Sequence, residues 1–156
     1  MYAFVFALAL HTIAATVWVG GMFFAHMALR PAIADLAPAL RLDIIRRVLG
    51  RFFDLVWLAI VTLLATGYGV LLLGYRGGIS GGGPHIDVMQ IIGLTMMALF
   101  AYMFFAPWQS FQRELAEGQI EAAARHQARI RRIVGINLIL GLITAAVGAT
   151  GTLWAY

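Results

Sequence analysis

The sequence predicts an all-α transmembrane four-helix bundle, and three observations carry that prediction. Apolar residues make up 62% of the 156-residue chain and charged residues only 12%, more apolar surface than a soluble domain of this size can hide. The charges are gathered between apolar runs and not scattered through them. Four of those runs reach the roughly 20 residues that a bilayer core demands.

The runs are Tyr2–Leu29, Phe52–Tyr75, Ile86–Trp108 and Ile133–Tyr156. The first has no basic start and is too long for the apolar core of a signal peptide, so it reads as a span. Arg30, Arg41, Arg46, Arg47 and Arg51 lie between the first and second runs. Arg113, Arg125, Arg129, Arg131 and Arg132 lie between the third and fourth, and the middle connection carries only Arg76. The positive-inside rule puts both arginine-rich connections in the cytoplasm. Both termini and the loop "RGGISGGGPHID" then face the periplasm or exterior. "EGQIEAAARHQARIRR" is rich in helix formers, so the third and fourth spans are expected to run on as helices beyond the membrane. The net charge of +4 is thereby a topology signal. The lipid bilayer is the expected partner, a redox protein or a second copy is a further candidate, and nucleic acid is not expected. With no cysteine in the chain, disulfides and thiolate metal sites are excluded.

The chain repeats itself. "MFFA" occurs at Met22–Ala25 and Met103–Ala106, "IRRVLG" at Ile45–Gly50 is echoed by "IRRIVG" at Ile130–Gly135, and "ATG" recurs at Ala65–Gly67 and Ala149–Gly151. Three matches in order, at offsets of 81, 85 and 84 residues, predict two tandem parallel helical hairpins within one domain spanning 1–156, the repeats covering about 1–80 and 81–156.

In lipid, small residues and interhelical hydrogen bonds hold helices together. Asn137, Gly141, Thr144, Gly148 and Gly151 follow steps of four, three, four and three, which places them on one face of the fourth span. Thr66 and Gly67 in the second span, and Gly20 and Gly21 in the first, offer similar close-approach sites.

Four histidines are the candidate reactive groups. His11 lies roughly 7 Å from the midplane of the first span, well inside the hydrocarbon, where an ionisable residue is a functional candidate by default. The plain alternative is a neutral imidazole bonded to a neighbouring hydroxyl or carbonyl. Ala15, Trp18 and Met22 share its stripe, a face that suits either a planar cofactor or an ordinary helix contact. At the same depth stand Tyr68 on the second span and Gly148–Thr150 on the fourth, with Met89 and Met96 flanking that level on the third. His85, with Asp87 and Met89, is a candidate metal-loading cluster at the outer mouth of the third span, or simply a helix-start residue after Pro84. His26 sits at the headgroup boundary and His126 in a basic helix, where polar tips are at ease. A b-type haem with His11 as one axial ligand is feasible, its other ligand His85, a methionine or nothing. Copper would instead use imidazole and the soft thioethers that seven methionines supply. No HExxH, CxxC, P-loop or Ser-His-Asp pattern occurs, so no residues support catalytic turnover. Asp43 and Asp54 are expected to pair with Arg46, Arg47 or Arg51.

"LHTIAATVWVGGMFF" followed by "RRVLGRFFDLVWLAIVTLLATGYGVLL" resembles the copper-resistance D (CopD-like) membrane domain. The resemblance rests on His11, Trp18, Gly20 and Gly21, then "GRFF" and Gly67, and covers the first half of the chain best. "ARIRRIVGINLILGLITAAVGATG" looks like small four-span relatives of that domain. The resemblance implies copper handling in the bacterial cell envelope, at the inner membrane. His11, Trp18, Gly21 and Arg30 are also similar to the first span of HemJ-type protoporphyrinogen oxidases. That resemblance implies haem b held by the first-span histidine. That family also uses a lysine in its third span, and this chain has none. The functional expectation is a metal centre, haem b for electron transfer or alternatively copper, held by His11 and His85 with Trp18, Met22, Tyr68 and Met96 around it. A membrane subunit without cofactor is the third possibility.

Overall fold

The computed structural model describes residues 2–74 and 82–154. The ends of the second and fourth expected spans at Tyr75 and Tyr156, and the connection from Arg76 to Gly81, lie outside the described residues. Among the described residues six α-helices follow in order: α1 (Tyr2–Phe24), α2 (Arg30–Ala32), α3 (Pro38–Gly74), α4 (Pro84–Met103), α5 (Gln109–Ala116) and α6 (Ile120–Thr150). Wide π-turns join α1 to α2 (Ala25–Leu29) and α4 to α5 (Phe104–Trp108), so each of these pairs is one near-continuous rod. Among the described residues four helical units are long and apolar enough to cross a membrane: Tyr2–Ala32, Pro38–Leu73, Pro84–Ala116 and Ile120–Leu153. The chain is a multi-pass membrane protein with an all-α bundle fold.

Local chemistry explains the breaks. Proline fits the first turn of a helix because its missing N–H has no helical partner there, and α3 and α4 both start on one. Gly83, just before α4, has φ 86°, and Gly118, between α5 and α6, has φ 73°; L side chains avoid this left-handed region. Each π-turn has its own proline, Pro107 inside the second and Pro31 two residues beyond the first. A proline within a helix removes one backbone donor and pushes away the carbonyl one turn back, and a widened turn relieves both. Both wide turns fall in a copy of "MFFA" or at its end.

The arginine-rich stretches are helical, as expected for the one before α6's apolar part, and they lengthen α3 and α6 well beyond the bilayer. Asp43, nine residues before Phe52, takes Arg46 and Arg47 as ion-pair partners at 2.8 Å each, one turn along α3. The Arg46 guanidinium that hydrogen-bonds Asp43 holds its carboxyl below the usual carboxylate range, with Arg47 adding to the effect. Asp54 has no ion pair among the described residues.

α1 packs mainly along α3 and α4 mainly along α6, and the two pairs meet chiefly through α1 and α6. The outer surface is apolar, with Leu58, Ile91 and Ile139 exposed, which suits a lipid solvent. In the arginine-rich half the centre is aromatic. Phe53 is 1% exposed and meets Trp108 at 4.9 Å and Phe100 at 5.5 Å between ring centroids, both edge-on. Trp57 meets Phe100 at 5.3 Å and Phe104 at 5.6 Å.

The predicted small-residue face of α6 is where neighbouring helices come closest. Asn137 is buried and its amide Nδ2 donates to the Met96 carbonyl at 3.1 Å. A Cβ on Gly141 would lie 2.7 Å from Val19 Cγ2 and 3.2 Å from Met96 Cε. On α1, Gly21 makes room for the Phe52 ring, but Gly20 has nothing within 4 Å and faces open space. Adjacent residues point about 100° apart on a helix, so only one glycine of the pair can serve a given contact.

Candidate functional site

Three histidines of the membrane helices share one packing motif: each ring rests on a glycine of another helix. His11 lies over Gly67, His26 over Gly135 and His85 over Gly151. Glycine lets an imidazole lie flat on a helix backbone where any side chain would push it away.

His11 faces α3. Its Nδ1 is 2.9 Å from Thr66 Oγ1, and the Thr66 hydroxyl donates its single proton to the Thr62 carbonyl at 2.6 Å. With that proton spent, Thr66 can only accept, so Nδ1 of His11 carries the hydrogen. In a neutral imidazole that is the ring's one proton. Nε2 is left as a bare lone pair. A ring nitrogen fixed by a hydrogen bond while the other stays free is the arrangement that orients metal-ligating histidines.

The second hairpin repeats the theme with different residues. Thr150 Oγ1 donates to the Ala146 carbonyl at 2.9 Å and accepts from the Trp154 indole Nε1 at 3.3 Å. His85 lies edge-on to Trp154 with ring centroids 6.2 Å apart. Thus the Thr–Gly of each "ATG" copy receives a ring N–H on its threonine and a histidine on its glycine. In the first hairpin His11 does both. In the second Trp154 and His85 divide the work.

α4 adds thioethers. Met89 covers Gly148 with Sδ at 3.5 Å from its Cβ position, and Met96 covers Gly141. His85, Met89 and Met96 therefore form a line on α4, at steps of four and seven residues, each packed against one glycine of the fourth span, Ile120–Leu153. By helical rise the line descends about 16 Å from the arginine-poor end toward the middle of the bundle.

The remaining predicted site residues are placed differently. Trp18 and Met22 are buried, at 3% and 2% exposure, but they are core side chains. Trp18 stands edge-on to Phe100 at 6.1 Å, and Phe52 fills the space beside Gly21. Tyr68 is half-buried on α3, and the groups that engage His11 are Thr66 and Gly67, just before it. His11 bridges α1 and α3 while His85 bridges α4 and α6, so they do not converge on one partner helix. No group of three or more His, Asp or Glu side chains suited to a metal ion occurs among the described residues. Asp87 is exposed. His126 is half-buried on α6, and not fully solvated as its basic surroundings imply. Sequence reasoning did not find Trp154, although its four-residue step from Thr150 was a usable signal.

These features define a class: a small four-span bundle with imidazole and thioether donors held against glycines in its arginine-poor half. A family model, copper resistance protein D, matches residues 46–151. That is more than half of the chain, which therefore belongs to the CopD family. No curated protein and no solved structure matches the chain. The matched region begins after His11, Trp18, Gly20 and Gly21, the first-span residues that carried much of the resemblance in sequence. It includes Gly67 and nearly all of the second hairpin.

Proposed function

We propose that this CopD family member handles copper inside the bilayer, taking up the ion as cargo on imidazole and thioether donors of its arginine-poor half. The line His85, Met89 and Met96, seated on Gly151, Gly148 and Gly141, is the observation that carries this reading. Thioether and imidazole are the donor types that suit cuprous ion. His11, its Nδ1 committed to Thr66, offers Nε2 as a further ligand. The same reading puts the arginine-rich connections in the cytoplasm of a bacterial inner membrane and the His85 end outside. It also treats the chain as one domain built from a duplicated hairpin, supported by the paired wide turns and the paired "ATG" contacts.

A b-type haem fits these residues less well. The Trp18 and Met22 face on which a flat ring would lie is filled by Phe100 and by neighbouring core side chains. Haem-based electron transfer is therefore not the reading we favour.

The test is copper retention by the purified chain in neutral detergent, loaded with cuprous ion under ascorbate and then desalted. We expect about one or more equivalents of copper by elemental analysis, without a Soret band. Met89→Leu with Met96→Leu, and separately His11→Ala, should each lower retention several-fold, by order of magnitude, while the helical signal is unchanged. Retention that survives all three substitutions would sink the assignment. A Soret band that vanishes in His11→Ala would put haem in its place.

A further inference from the structure

At the opposite end from the copper-type donors lies a basic cleft that the proposed function does not use. It is formed where the first π-turn and α2 face α3 and α6, and it is lined by His26, Arg30, Gln127 and Arg131 above an apolar floor that includes Ile45 and Val134. Its free volume is about 50 Å³, room for roughly three to five water-sized spheres, the size of one tetrahedral oxyanion. No Asp or Glu lines it. Among the described residues neither Arg30 nor Arg131 has an ion-pair partner, whereas Arg46 and Arg47 are both committed to Asp43. Both guanidinium groups of the cleft lie within electrostatic range of the His26 ring.

Its position is as telling as its charge. His26 belongs to the π-turn, and its Nε2 lies 3.4 Å from the Cβ position of Gly135. The wide turn and the glycine together bring this ring in against α6. The cleft opens at the headgroup level, roughly 16 Å from the midplane by helical rise, with aliphatic side chains continuing below it. Two guanidinium groups gathered without a carboxylate repel one another unless an anion joins them.

We propose that this cleft binds one phosphate group, carried by an anionic phospholipid or present as the free ion. Arg30 and Arg131 supply charge-assisted hydrogen bonds, His26 and Gln127 supply further donors, and the apolar floor meets the upper part of an acyl chain.

Native mass spectrometry of the full chain in neutral detergent tests this. The probes are dioleoyl phosphatidylglycerol, dioleoylglycerol (the same tails without the phosphate) and inorganic phosphate. We expect phosphatidylglycerol to be retained about tenfold or more over dioleoylglycerol. Arg30→Gln with Arg131→Gln should reduce that preference to below about threefold. Arg129→Gln with Arg132→Gln removes the same charge from exposed positions outside the cleft and should leave it intact. His26→Gln is the second variant should the double substitution not fold, and it too should weaken the preference. Displacement of the lipid by inorganic phosphate would assign the site to the free ion as well, and failure to displace it would assign the site to the lipid. Equal retention of the two dioleoyl probes overturns the proposal. So does a loss in the Arg129/Arg132 variant as large as that in the Arg30/Arg131 variant.

Discussion

Phe53→Ala is expected to destabilise the bundle by about 3 kcal/mol or more. Phe53 is 1% exposed and touches the rings of Phe52, Phe100, Phe104 and Trp108. It thereby ties α3 to both α4 and the second π-turn. In lipid the removed ring does not return to water in the unfolded state, so the cost is lost packing and lost edge-to-face contacts. Thermal unfolding in detergent measures it. Phe53→Leu should lose less, because most of the volume stays. Phe6→Ala, at a position 67% exposed, should lose almost nothing. If Phe53→Ala and Phe6→Ala melt alike, the aromatic centre contributes nothing to cohesion.

The second large effect is expected at Gly141. A Cβ there would stand 2.7 Å from Val19 Cγ2. Valine is short and stiff at χ1, so it has no flexible end to swing away, and α1 or α6 must move instead. Overpacking of this kind costs about 1–3 kcal/mol, against at most about 1 kcal/mol returned by better helix propensity. Gly141→Leu should cost more than Gly141→Ala and should also displace Met96, whose Cε is 3.2 Å from the same point. Gly20→Ala is the matched control. With nothing within 4 Å, it should be neutral or slightly stabilising, by up to about 1 kcal/mol. A Gly141→Leu melting point equal to that of Gly20→Ala would show that the α1–α6 contact is looser than described.

Much of the architecture was legible because a membrane simplifies the code. Span length, arginine placement and the steps of Asn137, Gly141, Gly148 and Gly151 each report one physical constraint with few competitors. Gly148 meets Met89 close to the level at which depth arithmetic placed them. Side-chain direction was harder to read. Depth arithmetic named Tyr68 for His11, but ring geometry selected Thr66 and Gly67, because a hydrogen bond needs an angle as well as a level. The apolar stripe Trp18–Met22 looked suited to a cofactor, yet Trp18 packs edge-on against Phe100 of α4 and Met22 is buried in the core. Nothing local distinguishes those uses, since the partners are more than thirty residues away. The histidine-on-glycine pairing in the second hairpin was hidden for a different reason. His85 and Trp154 together do what His11 does alone, and a residue-by-residue comparison of the two "ATG" stretches cannot show a shared task.

The interlocked rings of Phe53, Trp57, Phe100, Phe104 and Trp108 have one more consequence. They stop the arginine-rich half of the bundle with a greasy plug of large rings. An ion descending from the His85 mouth would come to rest above that plug. Passage to the far side would require several large side chains to swing aside together.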